Sequence, residues 1–191
     1  MELEKTGIPG LDEILRGGLR KNASILIKGS PGTGKTILAL QFIYEGAKNG
    51  YPGAFITSEV ELDDLRVYAK SLGMDLEKFE KKKLIYLIKQ PINLKKLISI
   101  ATPLQLISNK KVKRIVLDSL TIFKYCTDSD MSYRKEIVDL ISSMKSILFL
   151  ATAEEKKEGI NHIYSESEDY LFDGVIRLIK IRRGNNFERC I

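Results

Sequence analysis

The chain has 191 residues, 43% of them hydrophobic and 29% charged, as in an ordinary globular protein of one domain. It has no apolar run near the roughly 20 residues of a membrane span and no apolar core of a secretory signal in MELEKTGIPG. Two cysteines, Cys126 and Cys190, and one histidine, His162, exclude a disulfide scaffold and a multi-histidine metal site. We therefore expect a cytoplasmic protein with reduced thiols and with His162 in a surface loop.

The first half of the chain alternates apolar runs with helical patterns. ASILIKG, Ala23 to Gly29, predicts a buried strand, and a helix is expected from about Lys35 to Lys48. GAFITS, Gly53 to Ser58, predicts a second strand. ELDDLRVYAKSLG predicts an amphipathic helix, with acids in its first turn and Gly73 after its last.

The second half continues this alternation. The predicted elements are a strand at Leu84 to Ile88, a helical segment at about Asn93 to Ser108 bent by Pro103, a strand at Arg114 to Asp118, a helix at Tyr133 to Lys145 and a strand at Ser146 to Thr152. GVIRLIKIRR, the turn GNN and FERCI predict a terminal antiparallel hairpin. The pattern indicates one α/β domain over residues 1–191, with a mostly parallel central sheet and helices on both faces.

The stretch GSPGTGKT, Gly29 to Thr36, matches the pattern of a phosphate-binding loop. Gly32 and Gly34 allow the backbone to curl so that successive N–H groups converge on one anion, and the following helix adds its positive N-terminus. In this motif Lys35 reaches the β- and γ-phosphates and the Thr36 hydroxyl ligates Mg²⁺. The apolar strand before the loop and the helix after it favour this interpretation over an accidental glycine-rich turn.

Two carboxylates are candidates to join this loop. Asp118 ends the apolar run RIVLD, at the sheet edge where open α/β sheets bind ligands, and it is the candidate carboxylate for Mg²⁺. Glu59 follows the second strand in FITSEVE and could polarise an attacking water. Acids also favour helix N-termini, so Glu59 and Glu61 have an equally simple structural explanation.

Several motifs together resemble the RecA-superfamily ATPases of the KaiC and RadA type, particularly the single-domain KaiC-like proteins. The segments that carry the resemblance are TGIPGLDEILRGGL, GSPGTGKT, FITSEVELDDLRVYAKSLGMDLEKF, RIVLDSL and YLFDGVIRL. The resemblance runs nearly end to end and implies a RecA-like core that hydrolyses ATP with Mg²⁺ in a ring or filament, such as a hexamer. It assigns ATP binding to Gly29, Ser30, Pro31, Gly32, Thr33, Gly34, Lys35, Thr36, Ile37 and Ser71, metal binding to Thr36 and Asp118, and catalysis to Glu59 and Lys35.

The sequence departs from the family pattern at two places. Val60 stands where the second acid of the catalytic pair is usual, which predicts slow turnover. The sequence ends at FERCI, before the basic KMRG-like element that reaches the neighbour's ATP, whereas KIRRG, Lys180 to Gly184, lies one strand too early. We therefore expect a C-terminus truncated relative to the family, or no activation by a neighbouring subunit, whose arginine can contribute about 10³–10⁵ in rate.

The net charge of +6 permits a polyanion partner, but its distribution argues against single-stranded DNA in the RadA manner. The segment expected to form the second DNA loop carries Glu154, Glu155, Glu158, Glu166, Glu168 and Asp169 against Lys156 and Lys157, which predicts repulsion of a phosphate backbone. The basic runs Lys81 to Lys83 and Lys110 to Arg114 each precede a strand, which predicts a solvated basic edge opposite the nucleotide.

Three hypotheses remain at this stage. The first is an Mg²⁺-dependent ATPase that couples nucleotide state to assembly or to an unknown protein partner. The second is an ATP-responsive binding switch without significant turnover, and the third is a recombinase paralogue that binds single-stranded DNA. A small-molecule kinase is disfavoured because the sequence offers no candidate lid with clamping arginines.

Overall fold

The computed structural model describes residues 2–90, 111–155, 166–184 and 186–191. The predicted helix at 93–108 with Pro103, His162, Glu158, Lys156 and Lys157 lie outside the described residues. The strands are β1 (Leu3–Glu4), β2 (Leu19–Arg20), β3 (Ser24–Gly29), β4 (Gly53–Thr57), β5 (Ile85–Lys89), β6 (Arg114–Asp118), β7 (Leu148–Glu154), β8 (Gly174–Arg183) and β9 (Asn186–Cys190). The helices are α1 (Leu11–Ile14), α2 (Lys35–Lys48), α3 (Leu62–Ser71), α4 (Leu76–Lys81), α5 (Thr121–Cys126) and α6 (Asp130–Ser143), with a 3₁₀ turn at Ser167–Tyr170.

Seven strands form the central sheet in the order β5-β4-β6-β7-β3-β8-β9. All neighbouring strands are parallel except β8 and β9, which form the antiparallel hairpin. The predicted α/β fold with a mostly parallel sheet and a terminal hairpin is therefore confirmed. Because parallel strands share an edge, Gly29, Thr57, Asp118 and Glu154 end together at the carboxyl edge of the sheet.

Helices cover both faces of the sheet. On one face, Leu40, Phe42 and Ile43 of α2 pack with Leu65 of α3 in one buried cluster. On the other face, the cluster includes Phe123, Ile137 and Leu140 from α5 and α6. The central strands are buried on both sides, which explains their continuous apolar sequence.

The structure also contains elements that the periodicity did not predict. Helix α4 begins after Asp75, whose carboxylate accepts a hydrogen bond from the Lys78 amide, and α5 is six residues long. Helix α6 begins at Asp130, three residues earlier than predicted, because Ser129 caps its N-terminus. Such short or capped starts leave little periodicity in the sequence. None of the described helices has the length and apolar character needed to cross a membrane.

Arg114 is an exception to the predicted solvated basic edge. Its guanidinium donates to the carbonyls of Phe42 and Lys5 at 3.0 and 2.7 Å and lies 4.6 Å from the centre of the Phe42 ring. Only 2% of the residue is exposed, whereas Lys81 to Lys83 are exposed as expected. The apolar stem and planar head of arginine allow this burial.

Three acids of the predicted DNA loop, Glu166, Glu168 and Asp169, are less exposed than their sequence suggests. The Lys28 ammonium, which is fully buried, lies 2.8 Å from carboxylate oxygens of both Glu166 and Asp169 and 3.9 Å from Glu168. Arg177 contacts Asp169 at 2.8 Å. We call Lys28, Glu166, Glu168, Asp169 and Arg177 the Lys28 cluster. These acids neutralise cations of their own chain, so they do not form the free anionic surface that the sequence predicted.

Candidate functional site

The predicted phosphate loop connects β3 directly to α2. Gly29 ends β3, where a Cβ atom would lie 2.4 Å from the Leu178 carbonyl oxygen, so a larger residue does not fit. Gly32 and Gly34 have φ angles of +75° and +103°, a conformation that glycine adopts without strain. Gly34 directly precedes the 14-residue helix α2, whose first N–H groups have no intrahelical partner. The loop and the helix start thus provide the backbone of an anion site.

Lys35 lies across this loop. Its ammonium donates to the carbonyl oxygens of Gly29 and Ser30 at 2.8 and 3.1 Å. Burial lowers the pKa of Lys35, and the nearby charges of Glu154, Asp118 and Glu59 only partly oppose that effect. Lys35 therefore carries a positive charge that its own surroundings neutralise incompletely.

Asp118 meets the loop at the start of α2. The Thr36 hydroxyl donates to Asp118 Oδ2 at 3.0 Å, and the Thr152 hydroxyl donates to Asp118 Oδ1. Burial raises the pKa of Asp118, and these two hydrogen bonds oppose the increase. A hydroxyl and a desolvated carboxylate side by side are oxygen donors of the kind that Mg²⁺ takes alongside phosphates, so the residues fit this ion.

Glu59 reaches the same place from the end of β4. The Ser119 hydroxyl donates to Glu59 Oε1 at 2.5 Å, and Ser119 directly follows Asp118 through a cis peptide bond. Glu61 behaves differently, because it precedes α3 and its carboxylate lies 2.8 Å from the Lys89 ammonium. Val60 packs against the core. The Glu61 side chain therefore pairs with Lys89 and makes no cap hydrogen bond to α3, whereas Glu59 is directed to the Asp118 side of the loop.

The remaining predicted residues divide into loop residues and one distant residue. In the loop, Thr33 is buried and its hydroxyl donates to the Ser30 carbonyl at 2.9 Å, whereas Pro31 is exposed and Ile37 lies in the first turn of α2. Ser71 ends α3, and its hydroxyl donates to the Tyr68 carbonyl at 2.7 Å. Over the described ranges no hydrogen bond joins Ser71 to the loop, so its contact with ATP stays a prediction.

Four further residues lie at this edge that the sequence did not predict as site residues: Thr152, Ser119, Glu154 and Lys180. Thr152 and Ser119 hold the two candidate carboxylates, and Glu154 pairs in register with Gly29. Lys180 of β8 donates to the Pro31 carbonyl. Polar residues at or just past the carboxyl ends of apolar runs were the available signal, as at the end of SILFLATAE.

A family model described as "ATPase: KaiC" matches residues 4–191. The chain belongs to the KaiC ATPase family. The RecA-like resemblance that the sequence motifs suggested is thereby confirmed.

Individual relatives agree with this assignment. A UPF0273 protein of Methanopyrus kandleri is 32% identical over 139 residues, which cover 63% of this chain and 54% of the relative. The circadian clock oscillator protein KaiC of Picosynechococcus is 32% identical over 98% of this chain and 39% of the relative. A crystal structure of a KaiC-like protein from Pyrococcus horikoshii superposes with a TM-score of 0.83 and 29% identity, covering 98% of this chain and 85% of that one. The chain thus spans about half or less of the length of these two curated relatives.

Proposed function

We propose that the protein is an Mg²⁺-dependent ATPase of the KaiC type that hydrolyses ATP slowly. The supporting observation is that three side chains converge at the loop. The Thr36 hydroxyl lies 3.0 Å from Asp118 Oδ2, and the hydroxyl of Ser119, the residue after Asp118, donates a hydrogen bond to the Glu59 carboxylate. A glycine-rich turn that binds no ligand does not explain why the carboxylates of Asp118 and Glu59 are both directed to this side of the loop.

The residues of the loop would hold the triphosphate. Loop amides and the start of α2 bind phosphate oxygens, and Lys35 exchanges the Gly29 and Ser30 carbonyls for the β- and γ-phosphates. Thr36 and Asp118 would hold Mg²⁺, which neutralises charge on the phosphates. Lys35 gains most from this exchange because its positive charge is poorly compensated in the free protein.

Glu59 would orient and deprotonate the attacking water. Ser119 positions its carboxylate by donating to Oε1, which leaves Oε2 available for a water molecule. Val60, which stands in place of a second acid, supports slow turnover.

The proposal is tested by Glu59→Gln with Glu61→Gln as the matched control. We expect Glu59→Gln to bind ATP normally and to lose about 10²–10⁴-fold in phosphate release, since it removes a general base. Glu61→Gln should retain turnover, and Lys35→Ala should abolish ATP binding. Undiminished phosphate release by Glu59→Gln would remove Glu59 from catalysis.

A second candidate function is an ATP-responsive switch with negligible turnover. Val60 favours it as well, because the pair of acids expected to activate the water is then incomplete. A steady-state phosphate-release assay on the wild type separates the two functions, because a switch would bind ATP and release no phosphate above the Lys35→Ala background.

We further propose that residues 1–191 act as one cytoplasmic domain that assembles into a homo-oligomeric ring or filament. The unpaired thiols of Cys126 and Cys190 support a reducing compartment. The edge strand β9, with Phe187 69% exposed, supports assembly. Molar mass in solution with and without ATP and Mg²⁺ tests whether nucleotide drives it.

A further inference from the structure

Lys180 of β8 lies beside the phosphate loop of its own chain. Strand β8 runs parallel to β3, with Leu178 opposite Gly29, so the residues after Leu178 extend past the end of β3. Side chains alternate along a strand, which places Lys180 and Arg182 on the same face as Leu178. Leu178 belongs to the buried cluster that contains α2 residues, so Lys180 is on the face where the loop enters α2.

The Lys180 ammonium contacts the middle of the loop. Nζ donates to the Pro31 carbonyl at 2.6 Å, and a Cβ atom at Gly32 would be only 3.2 Å from Nζ. In the part of the chain that the structure describes, this is its one hydrogen bond, and the acceptor is neutral. Burial is the main cause that lowers the pKa of Lys35, and repulsion from the Lys180 charge adds to it.

The other cations near the end of β8 are engaged elsewhere. Arg182 donates to the Gly184 carbonyl of its own turn, and Arg183 lies 3.0 Å from the Glu188 carboxylate of β9. Lys180 differs because it reaches across to another element and is paired there with a carbonyl alone. A second cation on the loop is unfavourable unless an anion occupies the site.

Two lysine ammoniums thus donate hydrogen bonds to three consecutive backbone carbonyls of the phosphate loop. Lys35 donates to Gly29 and Ser30, and Lys180 donates to Pro31. Because the lysine of this motif reaches the β- and γ-phosphates, the position of Lys35 marks the triphosphate end of the site. Lys180 flanks the same end from the β8 side.

We propose that Lys180 is a second phosphate-binding lysine, which exchanges the Pro31 carbonyl for an oxygen of the terminal phosphate of a nucleoside triphosphate. The inference rests on the proposed nucleotide binding and adds a contact that is supplied within the same chain. A diphosphate lacks the group that Lys180 binds, so this residue favours the triphosphate over the diphosphate.

The experiment compares Lys180→Ala with Arg182→Ala, which removes the same charge from the same strand face. Purified full-length variants are titrated with ATP and with ADP in the presence of Mg²⁺. A charge-assisted hydrogen bond predicts that Lys180→Ala weakens ATP binding by about 10-fold or more and ADP binding by less than about 3-fold. Arg182→Ala should change both affinities by less than about 2-fold, and Lys180→Arg should retain most of the preference for ATP.

Each other result has a definite meaning. Equal losses for ATP and ADP in Lys180→Ala would show that Lys180 only fixes the loop, and unchanged affinities would remove it from the site. Either result overturns this inference and leaves the proposed function intact. A wild-type protein that binds neither nucleotide would overturn both. If Lys180→Ala does not fold, Lys180→Gln, which keeps a donor without the charge, replaces it in the same comparison.

Discussion

Lys28 and Lys35 are seven residues apart, one near the end of β3 and the other at the start of α2, and their pKa values shift in opposite directions. Lys28 is fully buried, and the hydrogen bonds from its ammonium to Asp169 and Glu166 outweigh burial and raise its pKa. Lys35 is partly buried, its hydrogen-bond partners among the described residues are carbonyl oxygens, and burial lowers its pKa. Lys28, which is part of the folded core, is neutralised by carboxylates of its own chain. Lys35, which we propose binds phosphate, donates to neutral carbonyls instead.

The carboxylates at the two edges of the sheet show the same contrast. Burial raises the pKa of Asp118 at the carboxyl edge. At the opposite edge, a hydrogen bond from the Ser24 amide lowers the pKa of Asp173 despite partial burial, helped by the Ser24 hydroxyl and Arg20. The candidate site thus collects charges that the fold does not compensate, which is the usual conflict between stability and function.

Lys28→Met is expected to have the largest effect on stability. It leaves the acids of the Lys28 cluster without their central cation, and breaking a buried ion pair from one side typically costs about 3–5 kcal/mol. Urea unfolding at pH 7 measures this loss. A decrease below about 1 kcal/mol would mean that the remaining cations neutralise the cluster, namely Arg177 and Lys124, whose ammonium lies 3.5 Å from Glu166.

The same substitution at the neighbouring lysine is the control. Lys35→Met removes a charge that burial disfavours, so the free energy of unfolding should change by less than about 1 kcal/mol in the absence of nucleotide. We therefore expect Lys28→Met to lose stability and Lys35→Met to lose ATP binding. A large loss of stability in Lys35→Met would contradict the comparison of the two lysines.

These contrasts indicate what the sequence could predict. The loop, the strand ends and the placement of Asp118 were predictable because each depends on a local pattern and on the shared edge of parallel strands. The partners of Lys28 were not, because they lie more than 130 residues away and ASILIKG reads as an apolar strand with a terminal lysine.

The contacts that tune the site were similarly hidden. Thr152 meets Asp118 only because β7 lies between β3 and β6, and this strand order is not written in any local pattern. Lys180 was set aside as part of a misplaced KIRRG motif, yet the register of β8 on β3 brings it to Pro31. In both cases the contact depends on which strands pair and in what register, and the local sequence pattern does not predict this.

Asp118→Asn should have a smaller effect of opposite sign. The folded protein binds a proton at Asp118 more tightly than the unfolded chain, so the ionised carboxylate reduces stability above the unfolded pKa of about 3.9. Without nucleotide, Asp118→Asn should be more stable than wild type at pH 7 by on the order of 1 kcal/mol, and this gain should shrink toward pH 4.

The Asp118→Asn variant also links stability to the site. ATP with Mg²⁺ should raise the urea midpoint of the wild type and should raise that of the variant much less, because a metal donor is lost. A variant that is less stable than wild type at pH 7 would show that its two threonine hydrogen bonds outweigh the cost of burying the charge.

Asp173→Asn should have the smallest effect and the reverse pH dependence. The lowered pKa means that ionised Asp173 stabilises the fold above the unfolded pKa of about 3.9, and this contribution disappears as the pH falls through the folded pKa. Its side chain is 41% exposed, so solvent screening limits the loss at pH 7 to about 0.5 kcal/mol.

Urea midpoints of Asp173→Asn and wild type at pH 7 and pH 3 test this sign, with Asp139→Asn, an exposed position in the second half of α6, as a control that should match wild type at both pH values. The difference between Asp173→Asn and wild type should narrow at pH 3, whereas the advantage of Asp118→Asn is lost over a higher pH range. An equal difference at both pH values would assign the role of Asp173 to hydrogen bonds that do not depend on its charge. The contrast between compensated and uncompensated carboxylates would then rest on Asp118 alone.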